Sequence, residues 1–180
     1  HPGGHSLLSV IDLTQTPMGA RTLRHWIARP LTQTEAIAKR HDTVAFFNEQ
    51  KLLRQSMRDE LKPINDLERL CMRIATRRIG PKELKGLEKT LQHCLNIESK
   101  LAQTPIALAV NTAAVDEVKT TISSTLNEEV PALLAKGGVI ASKVHDELDA
   151  LRRLAFQSEE ALSELLSEEI KQTGISSMKI

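Results

Sequence analysis

Residues 65–78 read N-D-L-E-R-L-C-M-R-I-A-T-R-R, and their apolar positions Leu67, Leu70, Cys71, Ile74 and Ala75 stand at spacings of 3, 1, 3 and 1. That spacing gathers all five on one face of an α-helix and scatters them over both faces of a strand. Gly80-Pro81 closes the segment and opens another, whose Leu84, Leu87, Leu91, Cys94, Leu95 and Leu101 again share a face. Proline suits that first position because its missing N–H would have no helical partner there. Two antiparallel helices on a short turn set the fold class: an all-α, multi-helix bundle with at most one or two very short strands.

Composition agrees with a helical reading. The 180 residues are 41% hydrophobic, yet they include only three Phe, one Trp and no Tyr. A core of Leu, Ile, Val and Ala suits helix packing better than sandwiches or barrels, which favour aromatic and β-branched residues. The length allows one sizeable core, or two small subdomains sharing one. With 24 Lys+Arg against 23 Asp+Glu, the chain lacks a global basic field, so any phosphate contact must be local. Cys71 and Cys94 fall on apolar helical positions and are expected to be reduced, buried thiols. No apolar run approaches the roughly 20 residues that span a bilayer. No signal-peptide pattern stands at the N-terminus. A cytoplasmic protein without a membrane partner is expected. The start at His1, in H-P-G-G-H, is expected of a processed chain or of a segment cut from a longer one.

Towards the N-terminus, Thr32 and Glu35 have capping-box spacing. They predict a helix with inner positions Ile37, His41, Val44, Ala45 and Phe47, a bend near Asn48, and then Leu52, Leu53 and Met57 before Lys62-Pro63 interrupts. Before it stands T-P-M-G-A-R-T-L-R-H-W-I-A-R-P, residues 16–30. Thr16 is the expected N-cap and Pro17 the first-turn proline; Leu23, Trp26 and Ile27 share a face flanked by Arg21 and Arg24, and Pro30 ends the helix. Gly19 costs about 1 kcal/mol relative to Ala in a helix, so close approach of another backbone is expected there. The apolar run 6–13 reads as a strand or a docking segment.

Towards the C-terminus, Asp116 to Leu126 is weakly helical and Pro131 ends it; Gly137-Gly138 marks a turn, and Val139-Ile140 a short strand. Residues 143–173 form the longest element. Val144, Leu148, Leu151, Ala155, Leu162 and Leu165 follow 4-3 spacing, broadened by Leu154, Leu166 and Ile170. Asp146 and Glu147 at its start and Lys171 at its end suit the helix dipole. About 30 residues at 1.5 Å each give roughly 45 Å, long enough to project or connect. Thr173-Gly174 ends the helix, and I-S-S-M-K-I, residues 175–180, alternates like a strand.

Catalytic signatures are missing. No G-x-x-x-x-G-K-[ST] phosphate loop and no nucleophile elbow occur. The histidines do not stand at metal-ligand spacing, and the side chains of the adjacent His93 and Cys94 diverge on a helix. Glu159-Glu160 and Glu168-Glu169 read as a solvated helix face. The chain is expected to be no enzyme and to hold no cofactor or metal. Arg69, Arg73 and Arg77, with Arg78 beside them, stand at helical spacing 4. They are candidates for gripping phosphates or a partner's acidic strip, and the alternative is a solvated face with Glu68 nearby.

Five segments in order resemble the MutS family of DNA mismatch-repair proteins: residues 16–31, D-L-E-R-L-C-M-R-I-A at 66–75, G-G-V-I at 137–140, E-L-D-A-L-R at 147–152, and T-G-I-S-S-M-K-I at 173–180. The resemblance spans nearly the whole chain, although 102–134 carries no matching motif. It implies a helical core, or lever, domain over 1–180, with a docking segment at 1–15, a lever helix at 143–173, and the start of a connection to an absent clamp at 174–180. It further implies a homodimeric parent that binds mismatched double-stranded DNA and carries ATP and Mg in an ATPase domain outside this chain. Arg21, Arg24, Arg69, Arg73 and Arg77 become candidate phosphate or domain-interface contacts. The alternative is a stand-alone helical interaction module whose long helix pairs with a partner.

Overall fold

The computed structural model describes residues 6–106 and 108–174, with the side chains of 159–161, 164, 165 and 169 also left aside. The H-P-G-G-H start and the strand-like 175–180 therefore lie outside the described residues. Two compact units divide the chain at Val139 and Ile140.

In the first unit, α1 (Leu7–Ile11) replaces the strand that 6–13 allowed, because the Ser6 hydroxyl accepts from the Ser9 amide and starts a helical turn. Helix α2 (Pro17–Ala28) begins as expected: the Thr16 hydroxyl accepts from the Gly19 amide at 3.0 Å, and Pro17 takes the first turn. Helix α3 (Thr34–Glu49) starts two residues after Thr32. Gln33 is extended and is the cap, without a side-chain cap bond, so the predicted Thr32–Glu35 box does not form. The predicted bend lies at Gln50, which ends α3 and opens α4 (Lys51–Leu61).

Helix α5 (Leu67–Ala75) is capped by Asp66, and α6 (Pro81–Leu101) by Gly80, whose amide donates to Glu83 at 2.9 Å. Helix α7 (Thr112–Thr125) begins four residues before the predicted Asp116, because the Asn111 side chain accepts from the Ala114 amide and caps it there. It ends before Pro131 is reached. After a 3-10 turn at Leu134–Lys136, Gly137 and Gly138 take φ of +69° and +67°, a left-handed region that favours glycine. The short strand expected at Val139-Ile140 is reduced to an isolated β-bridge position at Ile140, and the Val139 carbonyl accepts from the Asn127 amide at 2.9 Å.

Helix α6 is the centre of this unit and packs against α4, α5 and α7, while α3 rests on α4. Met57, Ile64, Leu70, Leu87, Leu101, Leu126 and Val139 form the buried apolar core. Thr90 on α6 is completely buried. Its hydroxyl donates to the Gly86 carbonyl at 2.8 Å and accepts from the Asn65 amide at 3.2 Å, pinning the start of α5 to α6. Buried polar groups are tolerated when satisfied in this way.

The second unit is built on α8 (Asp146–Thr173), capped by His145 and closed by Gly174 in the left-handed conformation. Val144 lies before the helix. Asp146, Glu147 and Asp149 occupy its first turn and Lys171 its last. Among the described residues, no helix is long and apolar enough to cross a membrane.

Candidate functional site

Arginines on α2 and α5, and the turn after α5, make up the candidate interface, and the structure separates their roles. Arg21 crosses from α2 to Asp66, with Nη1–Oδ2 at 2.7 Å and Nη2–Oδ1 at 2.9 Å, and also pairs with Glu68. Asp66 Oδ1 accepts from the Arg69 amide as well, so one carboxylate caps α5 and anchors α2. Hydrogen bonding to Arg21 holds its pKa down to about 2, against a smaller opposing effect of desolvation. Planar guanidinium and carboxylate groups match in this two-pronged geometry.

Arg73 turns inward. Its Nη2 lies 2.9 Å from Glu83 and donates to the Arg78 carbonyl at 2.7 Å, while its buried Nε has no acceptor. Glu83 thereby ties the end of α5 to the start of α6. Arg77 leaves the expected row. The helix stops at Ala75, Arg77 sits at φ +54°, and the Arg78 amide reaches back to the Arg73 carbonyl at 2.8 Å. That closing pattern normally uses glycine at the left-handed position.

Arg69, Arg77, Arg78 and Lys82 are exposed and have no ion-pair partner among the described residues. Arg69 and Arg73 line two neighbouring depressions, one of about 300 Å³ shared with Arg78 and one of about 470 Å³ shared with Lys82. Arg24 is exposed; its charge contributes to holding Asp12 below the ordinary carboxylate range, after the larger hydrogen bonds from Thr14.

Gly19 is half-buried, but no foreign backbone presses on it. A Cβ there would stand 3.1 Å from the Thr16 hydroxyl and 3.4 Å from the Thr14 Cβ. The expected backbone approach is therefore corrected: the space is taken by the side chains that form the helix cap.

The apolar faces also depart from expectation. Neither α2 nor α3 buries any residue. His41, Val44 and Ala45 are exposed, and Trp26, 44% exposed, is covered instead by the Arg40 guanidinium at 3.7 Å from its ring centre. Such stacking of a cation on an aromatic face is favourable. Trp26, Leu31, Val44, Phe46, Pro105 and Ile106 line a groove of about 940 Å³. On α8, Leu151, Leu154, Phe156 and Leu162 are all exposed. Cys71 is exposed, against expectation, because only Leu70 of the α5 stripe is buried; Cys94 is half-buried, and desolvation raises its thiol pKa.

One cluster left only a faint trace in the sequence. Glu60 on α4 receives His93 Nδ1 at 2.8 Å, Asn96 Nδ2 at 3.1 Å and Lys100 Nζ at 2.6 Å, all from α6. Those bonds, His93 first, hold its pKa at about 2. The i, i+3, i+7 spacing of His93, Asn96 and Lys100 on one helix face was the only trace available. Among the described residues, no group of three His, Cys, Asp or Glu is placed to hold a metal ion.

Comparisons with known proteins point to one family. Residues 1–178 match the family model described as MutS domain III. The chain is 35% identical to "DNA mismatch repair protein MutS" of Flavobacterium psychrophilum over 184 residues, covering 100% of this chain and 21% of that protein. It is 38% identical to the protein of the same name from Christiangramia forsetii, over 97% of this chain and 21% of that one. With that from Chlorobium phaeovibrioides the identity is 39%, over 97% of this chain and 20% of that one. The chain spans about a fifth of the length of these curated relatives.

Proposed function

The chain belongs to the MutS family of DNA mismatch-repair proteins, in the region of their domain III, and from that premise we propose that it is a non-catalytic core, or lever, element. It links contacts made with mismatched DNA through a clamp to nucleotide state in an ATPase domain of a longer parent. The observation that carries this reading is α8, a continuous 28-residue helix capped at both ends. At 1.5 Å per residue it reaches about 42 Å, and a stiff element of that length turns a small rotation at one end into a displacement at the other.

In this reading ATP and Mg bind in the parent's ATPase domain, the parent is a cytoplasmic homodimer, and its DNA ligand is a mismatched duplex. The chain's own partners are then the other domains of the parent. The uncovered faces of α2 and α3 support such contacts, since large exposed apolar patches mark interaction surfaces. In the full-length parent, Leu151→Pro breaks α8 at a cost of about 3 kcal/mol or more. It is expected to abolish nucleotide-dependent release from mismatched DNA, whereas Leu151→Ala, which keeps the helix, retains it. Unchanged release with the proline would overturn the lever role.

A second reading draws on the exposure of Leu151, Leu154 and Leu162: α8 serves as a coiled-coil surface for a second copy or a partner. Sedimentation of the chain separates the two. A stable dimer that Leu151→Asp and Leu162→Asp dissolve favours this second reading; a monomer favours the lever.

A further inference from the structure

We propose that the turn joining α5 and α6 is a second, sequence-independent contact for the phosphodiester backbone of duplex nucleic acid, made by Arg69, Arg78 and Lys82. The charge arrangement leads there. Residues 66–83 carry five cations, Arg69, Arg73, Arg77, Arg78 and Lys82, and three carboxylates, Asp66, Glu68 and Glu83. Arg21 takes up Asp66 and Glu68, and Arg73 takes up Glu83. What remains, Arg69, Arg77, Arg78 and Lys82, makes no direct ion pair among the described residues, although the Arg69 charge also acts on Asp66, and it gathers positive charge on one stretch of a chain whose overall charge is only +1.

Arg73 is the positioning residue. By bridging Glu83 and the Arg78 carbonyl, it fixes the turn that presents Arg78 to solvent. Arg69 and Arg78 share the smaller depression, and Arg69 and Lys82 share the larger, whose lining also holds Asp66 and Glu83, each already paired, with Arg21 and with Arg73. Two adjoining concave sites with a guanidinium in each suit successive phosphates, because the guanidinium fork matches phosphate oxygens.

The patch carries no aromatic side chain among its lining residues, only Met72 and Leu70 as apolar members. Base stacking, which single strands require, has no platform there. A protein partner would normally find an aromatic or aliphatic anchor at the centre of its interface. A duplex backbone needs neither, since counterion release alone drives such contacts. This inference does not depend on the lever role, because the patch lies entirely within the first unit.

The test is fluorescence anisotropy of a labelled duplex of about 20 base pairs, titrated with the chain at several salt concentrations. Weak binding that falls steeply with salt is expected. The triple variant R69A/R78A/K82A is expected to reduce the slope of log K against log salt by about 2 to 3, at about 0.9 per phosphate contact. R69K/R78K, which preserves charge, is expected to keep the slope. Because the three side chains have no ion-pair partner among the described residues, the variant should keep its helical circular dichroism, which is checked first. An unchanged slope in the triple variant overturns the proposal. So does polyglutamate binding that survives at salt concentrations where the duplex has dissociated, which would assign the patch to an acidic protein. Binding of tripolyphosphate without binding of duplex would assign it to a free polyphosphate, and would likewise overturn it.

Discussion

Arg21 Nη1 lies 2.7 Å from Asp66 Oδ2, joining α2 to the cap of α5 across 45 residues of sequence. One carboxylate thus organises both the start of a helix and the attachment of another. The double role makes the contact sensitive to acid.

Glu60 and Asp66 both titrate at about 2 in the folded chain, Glu60 chiefly through hydrogen bonds from His93, Lys100 and Asn96, and Asp66 chiefly through those from Arg21. A folded pKa below the unfolded value means that the folded state binds fewer protons. The stabilisation is therefore complete above the ordinary carboxylate range and is lost as pH falls towards about 2. Urea midpoints measured between about pH 5 and pH 2 should fall, and Glu60→Gln and Asp66→Asn should each flatten that fall. An equally steep decline in the double variant would refute the assignment.

Thr90→Val removes the acceptor of the Asn65 amide without changing side-chain size. The stranded donor should cost about 1–3 kcal/mol in chemical denaturation. Thr90→Ser, which keeps the hydroxyl, should cost less. Equal losses would assign the effect to packing alone.

Arg77 holds a left-handed backbone at φ +54°, where side-chain-bearing residues pay about 1–2 kcal/mol relative to glycine. Arg77→Gly should therefore raise stability by roughly 1 kcal/mol despite its greater unfolded-state freedom. A loss of stability would mean that the Arg77 side chain supports the turn.

Gly19 and Thr16 should be energetically coupled, since a Cβ at Gly19 presses on the cap hydroxyl at 3.1 Å. Gly19→Ala gains about 1 kcal/mol of helix propensity, and that gain should be larger in a Thr16→Ala background than in the parent sequence. A double-mutant cycle on thermal stability reads this directly. Additive effects would show that the cap is not what excludes the Cβ.

What was legible in the sequence was local. Thr16-Pro17, Gly80-Pro81 and Thr173-Gly174 each mark a helix end through a cap or a backbone preference within a few residues, and the helices begin or end there. Thr32–Glu35 had the right spacing, but spacing does not determine which residue takes the first helical dihedrals, and Gln33 stays extended. The Arg69–Arg73–Arg77 row failed at its last member, because no glycine announced the stop after Ala75 and the chain closed the helix with Arg77 itself. The partners of Arg21 and Glu60 stand more than thirty residues away, beyond the reach of any periodicity. The stripes of α3 and α8 were correctly helical, yet periodicity defines a face and not its cover. His41, Val44 and Leu151 stand in solvent within this chain.

The lever role is tested most directly by pulsed spin-label distances in the full-length parent, with labels at Glu147 and Lys171, both exposed on α8. Twenty-four residues of helix separate them, about 36 Å at 1.5 Å per residue. A second label pair, Lys51 and Lys171, reports on motion of the helix relative to the first unit. A rigid lever gives one narrow distribution near that length for the first pair, unchanged by nucleotide, together with a nucleotide-dependent shift for the second. A first distance that broadens or splits on adding nucleotide, or a second that never moves, would contradict a rigid lever.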